Sequence, residues 1–247
     1  LVVGLKSTVL DVAGNALVVP TANTLAVDTK NPTVTSIGEN NADGTVSDVD
    51  QTVTYTVTFS EAVQALTEAD LDIAGGSYVA GTIDLAVDKL SATFQVKADD
   101  ESTANLVVGL KSTVLDVAGN ALVVPTANTL AVDTKNPTAT GVVPSGAIEV
   151  DDNLISEFEG DVGTSKLMLT ITFSEDMDQG TNPTVSFSDN VIGNSLSLNT
   201  GLGQTGWVSA TEFKAVFNVL DDNIEVFDVD VTISGAKDLA GNLMGEN

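Results

Sequence analysis

The sequence predicts an all-β protein built from tandem antiparallel β-sandwiches, and three observations predict it. Leu1 to Thr33 recurs letter for letter as Leu106 to Thr138. Apolar and polar residues alternate with a period of two in Thr52-Val53-Thr54-Tyr55-Thr56-Val57-Thr58-Phe59, the pattern of a half-buried strand. No segment carries a helical period, and Gly, Asn and Asp turns separate the short runs.

The copies starting at Leu1 and Leu106 set a period of 105 residues. That is the size of one sandwich domain and far above the roughly 20 to 50 residues of solenoid repeats. A diverged copy follows the second V-D-T-K-N-P-T block, Val132 to Thr138, which matches Val27 to Thr33. Its landmarks keep their order: T-F-S-E at Thr58 to Glu61 and at Thr172 to Glu175, D-D at Asp99-Asp100 and at Asp221-Asp222, and D-x-A-G-N at Asp116 to Asn120 and at Asp238 to Asn242. The same order implies the same fold.

Short strands at this spacing read as tandem Ig-like antiparallel β-sandwiches of about seven strands each. In the first complete module the strands are expected as A near Thr33 to Ile37, B Gln51 to Phe59, C near Leu71 to Ala74, D within Ser77 to Val87, E Ser91 to Val96, F Asn105 to Leu115 and G Ala121 to Val132. Alternating runs at Leu167 to Phe173, Glu212 to Val219 and Val226 to Ile233 supply strands of the next. On this frame residues 1–26 are the F–G hairpin of a preceding module, 27–131 a complete module, and 132–247 a diverged module lacking most of its last strand. Two readings of these ends stand open. The chain is a piece of a longer array, or the spare hairpin fills the incomplete module of a neighbouring chain by strand complementation.

Composition narrows the function. The 35 acidic residues against 9 basic ones, all Lys, give a formal net charge of −26, which nucleic acid and anionic membranes would repel. No Cys and no His are present, which excludes disulfides, thiolate or imidazole metal sites and His-based catalysis. No run approaches the ~18 apolar residues of a membrane span. The remaining chemistry is carboxylate pairs such as Asp151-Asp152 or Asp221-Asp222, and neighbours on a strand point to opposite faces, so an enzyme is not expected.

T-F-S-E followed some way on by D-(V/L)-A-G-N and then V-D-T-x-x-P resembles the bacterial Ig-like modules of giant secreted adhesins and S-layer proteins. The nearest matches are Thr172 to Met177 and Asp238 to Asn242, and the resemblance covers essentially the whole chain. It implies secretion to the bacterial cell surface, adhesion or surface-layer assembly, and Ca²⁺ at the joints between modules. The acidic segment Glu149 to Asp161 departs from the pattern.

In such a sandwich the B–C and F–G loops share one pole with the start of strand A. Asp28, Glu61 and Asp116 are therefore expected to converge, as are Asp133, Glu175 and Asp238. Carboxylates gathered this way repel one another unless a cation sits between them, and oxygen-only ligands favour Ca²⁺. Asp99, Asp100 and Glu101, with Asp43, Asp48 and Asp50, are expected at the lower pole, facing Asp133, so that one ion bridges two modules while Pro137 stiffens the linker. Each motif also reads as plain structure: D-x-A-G-N as a turn, the Glu residues as solvated strand ends. Asp43 to Asp50 lacks the spacing of an EF-hand. Trp207, the one Trp, is either a sugar-stacking platform or a core aromatic.

Two functions compete: an extender or adhesion module whose work is mechanical, and a self-assembling S-layer, filament or matrix subunit. Expected partners are neighbouring modules, identical subunits, and surface glycans or a host or biofilm matrix.

Overall fold

The computed structural model describes residues 1–146, 166–188, 196–219 and 229–245. Glu149 to Asp161, including Asp151-Asp152, lies outside the described residues, as does Asp221-Asp222. The described chain is all-β. Its helical content is the 3₁₀ turn Glu68–Asp70, and no described helix is long and apolar enough to cross a membrane.

Residues 1–26 form an open antiparallel hairpin in which β1 (Val2–Val3) pairs with β2 (Asn23–Thr24). The first β-sandwich-like unit follows with β3 (Val34–Glu39), β4 (Thr45–Val46), β5 (Thr52–Phe59), β6 (Leu71–Ala74), β7 (Gly76–Tyr78), β8 (Asp84–Leu85), β9 (Ser91–Ala98), β10 (Leu106–Leu110) and β11 (Asn128–Val132). One sheet runs β3-β5-β9-β7 with β8 also on β9; the other runs β4-β11-β10-β6, antiparallel except for the β4–β11 pair. The alternation in the sequence becomes burial: Val53, Tyr55, Val57 and Phe59 of β5 turn inward and meet Ala92, Phe94 and Val96 of β9. Tyr55 lies opposite Phe94 in the register, and the rings stack with centroids 5.9 Å apart. Gly75 lets the chain cross from one sheet to the other. Its φ is 72°, and a Cβ there would lie 2.3 Å from the Asn105 carbonyl oxygen.

Strand G is shorter than expected. Within β11 the register with β10 spans Asn128 to Leu130 and Ala131 and Val132 pair with β4, whereas Val123 donates to the carbonyl of Pro32 and Thr33 pairs with it in parallel. Pro125 stands between the two pairings and has no N–H to offer a continuous ladder. Strand F likewise ends at Leu110, after which a turn leads to the bridge at Leu115. The acid-rich segment between β3 and β5 contains β4.

The second unit comprises β12 (Ala139–Gly146), β13 (Lys166–Phe173), β14 (Thr184–Phe187), β15 (Leu196–Leu198), β16 (Gly206–Ser209), β17 (Glu212–Val219) and β18 (Val231–Ser234). One sheet runs β12-β13-β17-β15 with β16 also on β17, and β14 pairs with β18 in the other. The two units have separate cores, one holding Val46 to Val132 and the other Leu167 to Met244.

Candidate metal centres at the module joints

The D-x-A-G-N segment builds the same turn three times. The Asp116 carboxylate accepts the backbone N–H of Asn120 at 2.8 Å and its side-chain amide at 2.8 Å. Asp238 does the same with Asn242 at 2.9 and 2.8 Å, and Asp11 with Asn15 at 2.9 and 2.9 Å. Gly14, Gly119 and Gly241 take φ values of 87°, 95° and 91°, the left-handed region that glycine tolerates. Asp116 and Asp238 are buried while Asp11 is exposed, so the turn needs no core around it.

Two further contacts bring the other acids to this turn. Val63 pairs with Asp116 and Met177 with Asp238 in isolated antiparallel bridges, which draw the segments carrying Glu61 and Glu175 alongside. The serine before each glutamate then clamps the linker. Thr33 N–H donates to Ser60 Oγ at 2.9 Å and Ser60 N–H to the Thr33 carbonyl at 2.8 Å; Thr138 and Ser174 repeat the pair at 3.0 and 2.9 Å. These serines were not among the expected site residues. Their signal in the sequence is their fixed place in T-F-S-E, between strand B and the acid.

Asp28, Glu61 and Asp116 consequently meet, with one carboxylate oxygen from each lying within 4.8 Å of the others, and so do Asp133, Glu175 and Asp238. The two groups differ in electrostatics. At the first, Lys30 Nζ lies 3.4 Å from Glu61 Oε1, and Asp28 is exposed. Burial pushes the Asp116 carboxyl up, but the side-chain and backbone bonds from Asn120, with those of Gly119 and Ala118, outweigh it and hold the carboxyl below its ordinary value. At the second, the carboxyls of Asp133 and Glu175 are held above their ordinary values. Burial is the larger cause for both; next comes the negative charge of Asp238 on Asp133, and those of Asp133 and Asp238 on Glu175. Asp133 Oδ1 is buried with no hydrogen-bond partner. Lys135 offsets part of this charge, and an all-oxygen donor set of this kind could hold a hard divalent cation.

At the lower pole the linker meets the first unit through hydrogen bonds. Asp99 and Asp100 are exposed and belong to neither carboxylate group. Asp100 accepts from Gln51 Nε2 at 2.8 Å, and Asp99 contributes its carbonyl, which accepts from Thr134 Oγ1 at 2.8 Å. Thr134 is fully buried and also exchanges bonds with Ser102; Asn136 donates to the Glu101 carboxylate, and Asp133 N–H to the Val46 carbonyl. The linker is thus pinned to the first unit by short polar contacts, the Asp99 carbonyl taking the Thr134 hydroxyl and the Glu101 carboxylate taking Asn136.

Trp207 is half-buried, with ring centroids 5.4 Å from Phe173 and 5.2 Å from Phe213. Those contacts pack the indole against the second core, the arrangement of a core aromatic, one of the two readings its sequence allows. No protein-family model matches the chain, and no curated protein matches it.

Proposed function

We infer that the chain is a run of Ig-like modules that extends a secreted bacterial surface protein, with Ca²⁺ at the joints and a mechanical, non-catalytic role. The observation that carries this reading is the meeting of Asp133, a linker residue, with Glu175 and Asp238 of the module that follows. The sheet orders β3-β5-β9-β7 and β4-β11-β10-β6 support the Ig-like assignment, since they correspond to A-B-E-D and A′-G-F-C. An ion held by these three carboxylates ties the linker to the second module, while Thr134 and Asn136 tie it to the first. Interchangeable copies such as Leu1 to Thr33 and Leu106 to Thr138 serve length better than they serve a unique binding site.

Titration calorimetry tests the reading. The chain should bind Ca²⁺ with affinities of about 0.1–1 mM, as extracellular modules do, and Asp133→Asn should remove one binding event. Absence of heat and of any shift in thermal midpoint at millimolar Ca²⁺ would sink it. One observation favours the second reading, assembly by strand complementation: Leu1, Val3 and Leu5 expose an apolar face whose identical copy is buried. A strict monomer at high concentration removes that reading.

A further inference from the structure

The side chain of Asn242 is fully buried, and both ends of its amide are used. Nδ2 donates to Asp238 Oδ2 at 2.8 Å within the turn and to the carbonyls of Asp133 at 2.8 Å and Lys135 at 3.4 Å in the linker. Oδ1 accepts the backbone N–H of Asp48 at 2.8 Å, and Asp48 belongs to the preceding sandwich. The other copies of the turn separate what is local from what is added. Asn15 makes the bonds to Asp11, and Asn120 adds one contact with the Asp28 carbonyl at 3.4 Å. The bond between sandwiches is therefore not a by-product of the turn.

We propose that Asn242 is the orientation key of the joint, an amide lock that docks the D-x-A-G-N pole of one module onto the Ser47–Asp50 turn of the module before it without any bound cation. The lock does not rest on the calcium reading. Two acceptors on one side, the Asp133 carbonyl and the Asp238 carboxylate, demand the NH₂ group there, and the Asp48 N–H demands the oxygen. The amide is satisfied in one orientation only, so it sets rotation as well as distance. Full burial makes each bond costly to lose, because water does not replace it. The partner this pole fits is a β-turn with a free N–H at its second residue. Asn120 and Asp28 form the corresponding pole of the first module, which fits the same turn of a module with the sequence of residues 33–132.

Asp48 offers a clean test because it is the second residue of the turn closed by Asp50 N–H on the Ser47 carbonyl, where proline is favoured. Asp48→Pro removes the donated N–H and keeps the turn; Asp48→Ala keeps the N–H and removes the carboxylate. The chain has no Cys, so Thr56→Cys with Thr172→Cys gives one pair of spin labels, one on each sandwich. Pulsed dipolar spectroscopy on the full chain in chelator should give a narrow distance peak for the parent and for Asp48→Ala. That peak should be lost in Asp48→Pro and in Asn242→Ala. A narrow peak retained in Asp48→Pro overturns the lock. So does a parent that is broad in chelator and narrows with Ca²⁺, which would assign orientation to the ion. Failure of the calcium reading would show separately, as absence of calorimetric heat alongside an intact narrow peak.

Discussion

The carboxylates of Asp133 and Glu175 reach within 4.8 Å of each other across the joint, and after burial the Asp133 charge is the largest cause holding the Glu175 carboxyl above its ordinary value. Both carboxyls are raised in the folded chain, so the native state binds protons more tightly than the unfolded one. Between the ordinary values of 3.8 and 4.5 and the raised ones, the native state holds more protons, and stability from these groups falls as pH rises. Asp116 at the other joint works in the opposite sense, its contribution being lost as pH falls. In chelator at neutral pH, Glu175→Gln should therefore stabilise the second unit by about 1 kcal/mol. The advantage should vanish below the ordinary Glu value, and with Ca²⁺ present the same variant should be the less stable one. Thermal melts of the two proteins across pH check all three signs.

The repeated segment allows burial to be compared at constant sequence. Leu1, Val3 and Leu5 are 70%, 55% and 59% exposed, whereas Leu106, Val108 and Leu110 are at most 1% exposed. Beyond the terminal ammonium at Leu1 and its neighbour Val2, identical sequences have equal intrinsic exchange rates, so amide hydrogen exchange should show strong protection in Val108–Leu110 and little in Val3–Leu5 of the 247-residue chain. The measurement needs assigned NMR signals, because the two copies yield the same peptides. Equal protection would mean that the hairpin face is covered.

The three asparagines of the turn should form a graded series. Asn242→Ala should cost about 1–3 kcal/mol, the range for leaving buried partners unsatisfied. Asn15→Ala should leave the melting of both cores unchanged, since its bonds are local and exposed. Asn120→Ala should fall between them. Chemical denaturation of the three variants checks the order.

Trp207 should report the second unit alone, being the chain's single Trp. Its packing against Phe173 and Phe213 predicts blue-shifted emission that sugars leave unchanged. Trp207→Ala should cost about 3 kcal/mol in the second unit and leave the first unaltered, as domain-resolved unfolding will show.

Tyr55 is fully buried, its hydroxyl has no hydrogen-bond partner, and burial with the Glu39 charge pushes its pKa to about 12. Tyr55→Phe removes the unsatisfied group and keeps the stacking on Phe94. It should be neutral or stabilising by up to about 1 kcal/mol, measured by the denaturation midpoint of the first unit.

Local pattern made part of this molecule legible in the sequence. A period of two placed β5, β9, β13 and β17, and the D-x-A-G-N turn formed alike at Asp11, Asp116 and Asp238 because its bonds close within five residues. The meeting of Asp28, Glu61 and Asp116, and of their counterparts, followed once the strands were placed on a sandwich frame. Tertiary packing decided the rest. It turned Trp207 into the core, set the backbone of Asp99 rather than its carboxylate against Thr134, and brought Asn242 to Asp48, its partner 194 residues away. Leu1 and Leu106 give the physical reason: the same residue in the same local sequence is exposed in one place and sealed in the other, because burial belongs to what packs against a segment.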